Sequence, residues 1–279
     1  MAKSFLNSSH LDTAVIPAGG LGTRLLPLTE STPKELIKVY NQTMIQYALN
    51  ELVAAGITKL VVISSPQKQQ LDEFLDINNY EIGLSDNRAL TVDLLSKLDI
   101  DIAHQNIQMG LGDAVLYAEP YIDSNFFLLL LPDEIVIGEP NPSRALLERW
   151  NQKACCYVSV QKVAPAEIAN YGVVGLEKGS NVSGEGPWKV TQFVEKPEPN
   201  NAPSNMTLTG RYILSKNIFA AIRATAPGKN GEVQLTDALQ SQLEDSGDFF
   251  AIPLAGKRFD AGSHDGIANL SSYLSQLDS

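Results

Sequence analysis

Apolar and polar positions follow two rhythms along the first half of the chain. Short continuous apolar runs mark buried strands, and apolar positions three or four apart mark helices. Residues 13–16 form the first strand-like run; 45–55 have helical spacing that stops at Gly56, and 60–64 are apolar again. Residues 67–75 look helical, 100–103 strand-like, 112–121 helical, and 127–131 form the most apolar run of all. This alternation predicts a doubly wound parallel α/β sheet with ligands at the carboxyl ends of its strands.

The second half is richer in β signals. Residues 154–160, 172–176, 188–195 and 207–214 are candidate strands, with turn chemistry at 179–187, a proline-rich loop at 197–203 and a helix at 217–224. No internal repeat, low-complexity tract or linker interrupts the chain, so residues 1–279 are expected to form one domain.

With 44% hydrophobic and 19% charged residues, the composition is that of an ordinary soluble protein. The net charge of −11 argues against non-specific nucleic-acid or acidic-membrane binding, though not against a nucleotide substrate. Cys155 and Cys156 are adjacent in a strand-like run, so they should face opposite ways as small core fillers rather than form a metal or redox pair. The segment from Met1 to His10 is polar, and no apolar run reaches membrane-spanning length, which leads us to expect a cytoplasmic protein.

The first strand runs straight into Pro17-Ala18-Gly19-Gly20-Leu21-Gly22-Thr23-Arg24. Such a loop lets backbone N–H groups converge on an anion, and Arg24 and Lys34 add two cations, so cradled phosphates are the natural reading. The loop fails both the P-loop pattern and Gly-x-Gly-x-x-Gly, since Leu25 stands at the third glycine's place. Asp133, in Leu131-Pro132-Asp133-Glu134, ends the most apolar strand and is either a hard-cation ligand or a turn former after proline. Asp260 is a second candidate ligand, and spacing alone does not show that the two converge.

Gln105 to Gly112 form a polar loop leading into a helix; an amide there could match the donor and acceptor edge of a uracil ring. Tyr171-Gly172, Glu195-Lys196 and Gly210-Arg211-Tyr212 are read at the ends of β segments, where Glu195 suits sugar hydroxyls and Lys196 a sugar phosphate; an adjacent Glu-Lys is equally a common surface pair. Residues 231–237 read as a helix start with local caps. His10, His104 and His264 are too scattered for a metal site.

Taken in order, these motifs resemble the sugar-nucleotide pyrophosphorylases, and most closely the bacterial UTP–glucose-1-phosphate uridylyltransferases. The likeness runs from about Thr13 to Asn269 and includes Pro33-Lys34-Glu35, Ile45-Gln46-Tyr47, Gly110-Leu111-Gly112, Val194-Glu195-Lys196-Pro197, Gly210-Arg211-Tyr212, Gln234-Leu235-Thr236-Asp237 and Phe259-Asp260. It implies a Rossmann-like, doubly wound, mixed and mainly parallel sheet, with a nucleotide-binding half at about 13–135 and a β-richer sugar-phosphate half at about 136–279. UTP would lie on Ala18, Gly19, Gly20, Gly22 and Thr23, with uracil read by Gln105 and Gly110; glucose 1-phosphate would sit against Gly172, Glu195, Lys196 and Gly210.

The same resemblance gives Arg24, Lys34 and Lys196 the task of charge neutralisation, places Mg²⁺ on Asp133 and Asp260, and implies a homo-oligomer. The chain departs from the family pattern at Glu30, where a lysine is usual, at 37–43, at His104 and in the short region 71–96, and Ala18-Gly19-Gly20 is closer to the thymidylyltransferases. Alternatives are therefore a glucose-1-phosphate thymidylyltransferase, a uridylyltransferase for another hexose 1-phosphate, or a regulatory paralogue without turnover.

Overall fold

The computed structural model describes residues 11–80, 86–150, 155–228, 231–245 and 247–278; the polar segment 1–10, with His10, and Ala154 lie outside them. Strand β1 (Thr13–Pro17) is buried at all five positions, as an apolar run covered on both faces must be. Two short strands follow, β2 (Lys38–Val39) and β3 (Gln42–Thr43), and then helix α1 (Met44–Ala54). A reciprocal cap starts α1: the Thr43 N–H donates to Gln46 Oε1 at 2.7 Å, and the Gln46 N–H donates to the Thr43 hydroxyl.

The chain continues through β4 (Lys59–Ser64), α2 (Gln69–Leu75), α3 (Asp86–Leu95), β5 (Asp99–His104), α4 (Leu111–Leu116) and β6 (Phe126–Leu130). Beyond them come β7 (Glu134–Ile137), α5 (Pro142–Arg149), β8 (Cys156–Lys162), β9 (Gly172–Leu176), β10 (Trp188–Glu195) and β11 (Met206–Ser215). The last elements are α6 (Asn217–Ala224), α7 (Leu235–Asp245), β12 (Phe249–Pro253), β13 (Lys257–Asp260) and α8 (His264–Leu277). Among the described residues no helix is long and apolar enough to cross a membrane.

Nine strands make one mixed sheet in the order β5-β4-β1-β6-β11-β8-β12-β10-β9. Pairing is parallel from β5 to β6, antiparallel on both sides of β11, parallel between β8 and β12, and antiparallel from there to β9. A Thr207–Val173 pairing also brings β9 back against β11. Two core clusters flank the sheet, and neighbouring strand residues divide between them: Phe127 and Leu129 enter one, Leu128 and Leu130 the other. Cys156, the first residue of β8, belongs to the first, and Cys155, immediately before the strand, packs against the second, so the two thiols face opposite ways.

Apart from the sheet, β7 and β13 form a ribbon that sets Asp260 opposite Glu134.

Three expectations are corrected. The helix read over 112–121 stops at Leu116 and is followed by a 3-10 turn at Glu119–Tyr121, because Pro120 lacks an N–H and its ring collides with the preceding turn. The helix read over 67–75 starts at Gln69. Gly210-Arg211-Tyr212 lies inside β11 rather than at its end, at a shift of register against β8 between Leu208 and Tyr212.

Candidate functional site

The glycine loop leaves β1 at the centre of the parallel half and forms the floor of a cleft of about 580 Å³. No α-helix follows it directly; a 3-10 turn at Thr23–Leu25 does, in keeping with the failed dinucleotide pattern. Gly22 has φ 68°, and a Cβ there would stand 3.1 Å from Lys34 Cβ, so only glycine lets the lysine pack against the loop. The Thr29 hydroxyl donates to the Gly22 carbonyl at 3.0 Å and pins the turn.

Lys34 Nζ donates to Asp133 Oδ2 at 2.7 Å, and Arg24 Nη1 lies 3.6 Å from Asp260 Oδ2. Burial alone would lower the Lys34 pKa, but Asp133 and Glu35 outweigh it and hold the ammonium above its ordinary range. Burial likewise pushes the Asp133 carboxyl up, and Lys34 outweighs it and holds the group below its ordinary range. The two aspartates, remote in sequence, meet because β7 and β13 pair and because the Ala261 N–H donates to the Asp133 carbonyl at 2.8 Å. A Cβ placed on Gly262 would lie 2.9 Å from Asp260 Oδ1, 3.2 Å from Asp133 Oδ2 and 2.8 Å from Arg24 Nη2.

At one end of the cleft, Gln105 is buried and its amide donates to Asp113 Oδ2 at 2.7 Å and to the Gly110 carbonyl at 3.3 Å. That leaves Oε1 as its free acceptor, beside Gly19: a Cβ on Gly19 would stand 2.7 Å from it. Gly110, at φ 103°, is fixed by the chain itself, since a Cβ there would come 2.7 Å from the Val233 carbonyl oxygen. Two backbone bonds, Val233 N–H to Met109 O at 2.7 Å and Gly112 N–H to Val233 O at 2.9 Å, clasp this loop to the segment before α7.

At the other end, Glu195 Oε2 accepts from the Thr236 hydroxyl at 2.7 Å, and Glu195 Oε1 lies 3.3 Å from Lys196 Nζ. Lys196 has φ 42°, a left-handed backbone unusual for a side-chain-bearing residue, and it stands half exposed at the cleft wall. Gly172 packs against Thr236 and Glu195, and Gly210 lines the wall beside Glu134.

The nucleotidyl transferase profile matches residues 13–276. The chain belongs to the nucleotidyl transferase family. It is 37% identical to the UTP–glucose-1-phosphate uridylyltransferase of Mycoplasma genitalium over 274 residues, 95% of this chain and 92% of the relative. The enzyme of the same name from Pseudomonas aeruginosa is 35% identical over 267 residues, 93% and 94% of the two chains. A solved UDP-glucose pyrophosphorylase in complex with UDP-glucose superimposes with a TM-score of 0.87 at 30% identity, covering 95% of this chain and 99% of that one.

Of the residues expected to serve this nucleotidyl transferase, all but Ala18 line the single cleft. Ala18 is buried beneath the loop, its N–H donating to the Ile63 carbonyl at 2.7 Å and its own carbonyl accepting from Lys68. Glu30 is exposed and does not line the cleft, so its charge stands outside the glycine-loop floor. His104 meets Asp72 at 2.7 Å, and His264 opens α8 with its ring 2.9 Å from the Leu26 carbonyl. Sequence reasoning missed Glu232, Gln234 and Thr236 as wall residues, and Lys68 with Glu35 beneath the floor. Gln234 and Thr236 belong to one motif of the family resemblance and Glu35 to another, but the polar alternation in 231–237 equally suits a helix cap, and nothing local marked Lys68.

The donor set fits a hard divalent cation. Asp133 and Asp260 offer two carboxylates at one edge of the glycine-loop floor, and among the described residues no cluster of three or more His, Cys, Asp or Glu forms an all-protein cage. Mg²⁺ characteristically takes one or two carboxylates and completes its shell with phosphate oxygens and water.

Proposed function

We propose that the cleft joins UTP to glucose 1-phosphate, releasing pyrophosphate and forming UDP-glucose. The observation that carries this reading is the convergence in one cleft of the glycine loop, Lys34, both aspartates and the Glu195–Lys196 pair. We read residues 13–276 as one functional unit, with the UTP side on the parallel half and the sugar side on β9, β10 and β11. The triphosphate rests on Gly19, Gly20, Gly22 and Thr23, and the free Oε1 of Gln105 accepts from uracil N3–H. Glu195, held by Thr236, accepts from sugar hydroxyls beside Gly172 and Gly210.

The reaction needs no protein nucleophile. An oxygen of the sugar phosphate, already anionic, forms a bond to the α-phosphorus; the bond from that phosphorus to the bridging oxygen breaks in line, and its electron pair leaves with pyrophosphate. Lys196 holds the attacking phosphate, while Arg24 and Lys34 offset charge on the triphosphate. Asp133 and Asp260 would hold Mg²⁺, which supplies further charge neutralisation when bound. A cytoplasmic homo-oligomer is the proposed form.

The test is pyrophosphate release across a grid of UTP, dTTP, ATP, CTP and GTP against glucose, galactose, mannose and N-acetylglucosamine 1-phosphates. The UTP–glucose 1-phosphate pair should dominate. A different dominant pair replaces the substrates, and no turnover with intact UDP-glucose binding would leave the regulatory paralogue.

A further inference from the structure

We propose that Lys68, which lies outside the cleft, is a positioning residue that holds the phosphate loop and the Lys34 turn in mutual register. The inference rests on the nucleotide reading of the cleft. Lys68 is 5% exposed and sits just before α2. Its ammonium reaches the Ala18 carbonyl at 2.5 Å and the two carboxylate oxygens of Glu35 at 3.0 and 2.8 Å. An ammonium has three donors, so all of them are spent on two segments of the site. Ala18 precedes Gly19 of the floor, and Glu35, fully buried, follows Lys34.

Local physics opposes a lysine at this place. A cation at a helix N-terminus faces the positive end of the dipole, and burial removes its hydration. Burial accordingly lowers the Lys68 pKa, despite Glu35. Buried ion pairs are also poor stabilisers beside apolar replacements of the same volume. What the arrangement supplies is geometry. The Ala18–Gly19 peptide is not among the cis bonds, and in a trans peptide the N–H points opposite to the C=O. Holding the Ala18 carbonyl down on Lys68 therefore aims the Gly19 N–H the other way. The same ammonium fixes Glu35, and with it the backbone that presents Lys34 to Asp133.

The experiment compares the wild type with Lys68→Met, Lys68→Met/Glu35→Gln and Lys68→Gln/Glu35→Gln by thermal unfolding, steady-state kinetics and calorimetric UTP binding. The single variant strands a buried carboxylate and loses stability. The Met/Gln double removes both charges and should unfold within about 3 °C of the wild type. Its KM and dissociation constant for UTP should still rise about tenfold or more, with the KM for glucose 1-phosphate within about twofold. The Gln/Gln double keeps one donor for the Ala18 carbonyl and should recover part of the UTP affinity, which also tests the idea if the Met/Gln double fails to fold. Wild-type UTP affinity in a stable Met/Gln double, a Gln/Gln double that binds UTP no better than the Met/Gln double, or an equal loss for both substrates in either, would overturn it. Absence of turnover in the wild type across every substrate pair would instead overturn the nucleotide reading itself.

Discussion

Replacing Arg211 by methionine separates a residue that builds the site from one that touches substrate. Arg211 is 1% exposed and does not line the cleft. Its guanidinium donates from Nε to Glu51 Oε1 at 3.0 Å, from Nη2 to Glu51 Oε2 at 2.5 Å, and from Nη1 to the carbonyls of Thr209, at 3.0 Å, and Glu134. Methionine would leave Glu51 as a buried anion with the Ser143 hydroxyl as its remaining side-chain donor, and would strip a donor from each carbonyl. Removing one partner of a buried pair typically costs about 3–5 kcal/mol. At about 2–4 °C per kcal/mol for a domain near this size, the unfolding midpoint should fall by about 10 °C. Thermal circular dichroism and urea unfolding measure the loss, and kinetics taken below the transition should show both KM values within about threefold of the wild type. Arg211→Met/Glu51→Met should regain most of the stability, since no charge is left stranded. A single variant weakened by under about 1 kcal/mol, or a double as unstable as the single, would refute the reasoning.

Three further outcomes follow from the site. Asp133→Ala and Asp260→Ala should each lower kcat about 10²–10³-fold in pyrophosphate release, as loss of a positioned charge does, and a change under about tenfold would remove that aspartate from the chemistry. Thr236→Val strips a hydrogen bond from the Glu195 carboxylate, worth about 1.5–3 kcal/mol, and should raise the KM for glucose 1-phosphate about tenfold or more while leaving that for UTP unchanged. The Lys34–Asp133 pair gives a pH signature. The lowered Asp133 pKa contributes stability above the ordinary carboxylate value, lost as pH falls through the depressed one; the raised Lys34 pKa contributes below the ordinary amine value, lost as pH rises through the raised one. The stability difference between the wild type and Lys34→Met/Asp133→Asn should thus stay flat from about pH 5 to about pH 9 and shrink below about pH 4; a slope across the flat window would refute the assignment.

Much of the fold was legible because local hydrophobic patterning and turn residues bound its elements: 172–176, 188–195 and 217–224 match β9, β10 and α6 to the residue. The cleft floor was legible for a different reason, since a glycine cluster and two cations carry their chemistry locally. What stayed hidden depends on distant partners. Asp133 and Asp260 converge only through the β7–β13 ribbon, whose strands are four residues each and only partly buried. Lys68 reads as one more polar residue in the first turn of a helix over 67–75 until Glu35 and Ala18 arrive beneath it. Thr236 gains meaning only across β10, where it meets Glu195. The Gly-Arg-Tyr motif, read at a strand end, lies inside β11: Arg211 is a core residue whose charge is answered by Glu51, remote in sequence.

The place of β12 bears on how the protein comes off the ribosome. One of the last strands to be synthesised, it occupies an inner position between β8 and β10 rather than an edge. Order in time and order in space therefore disagree. A nascent chain halted before Phe249 already holds the glycine loop, Lys34 and strands β9, β10 and β11, yet β8 and β10 lack the neighbour that should join them, and Asp133 lacks Asp260. Open strand edges of that kind template foreign strands. Truncated chains should accordingly be found in aggregates, and not as small proteins that bind nucleotide without consuming it.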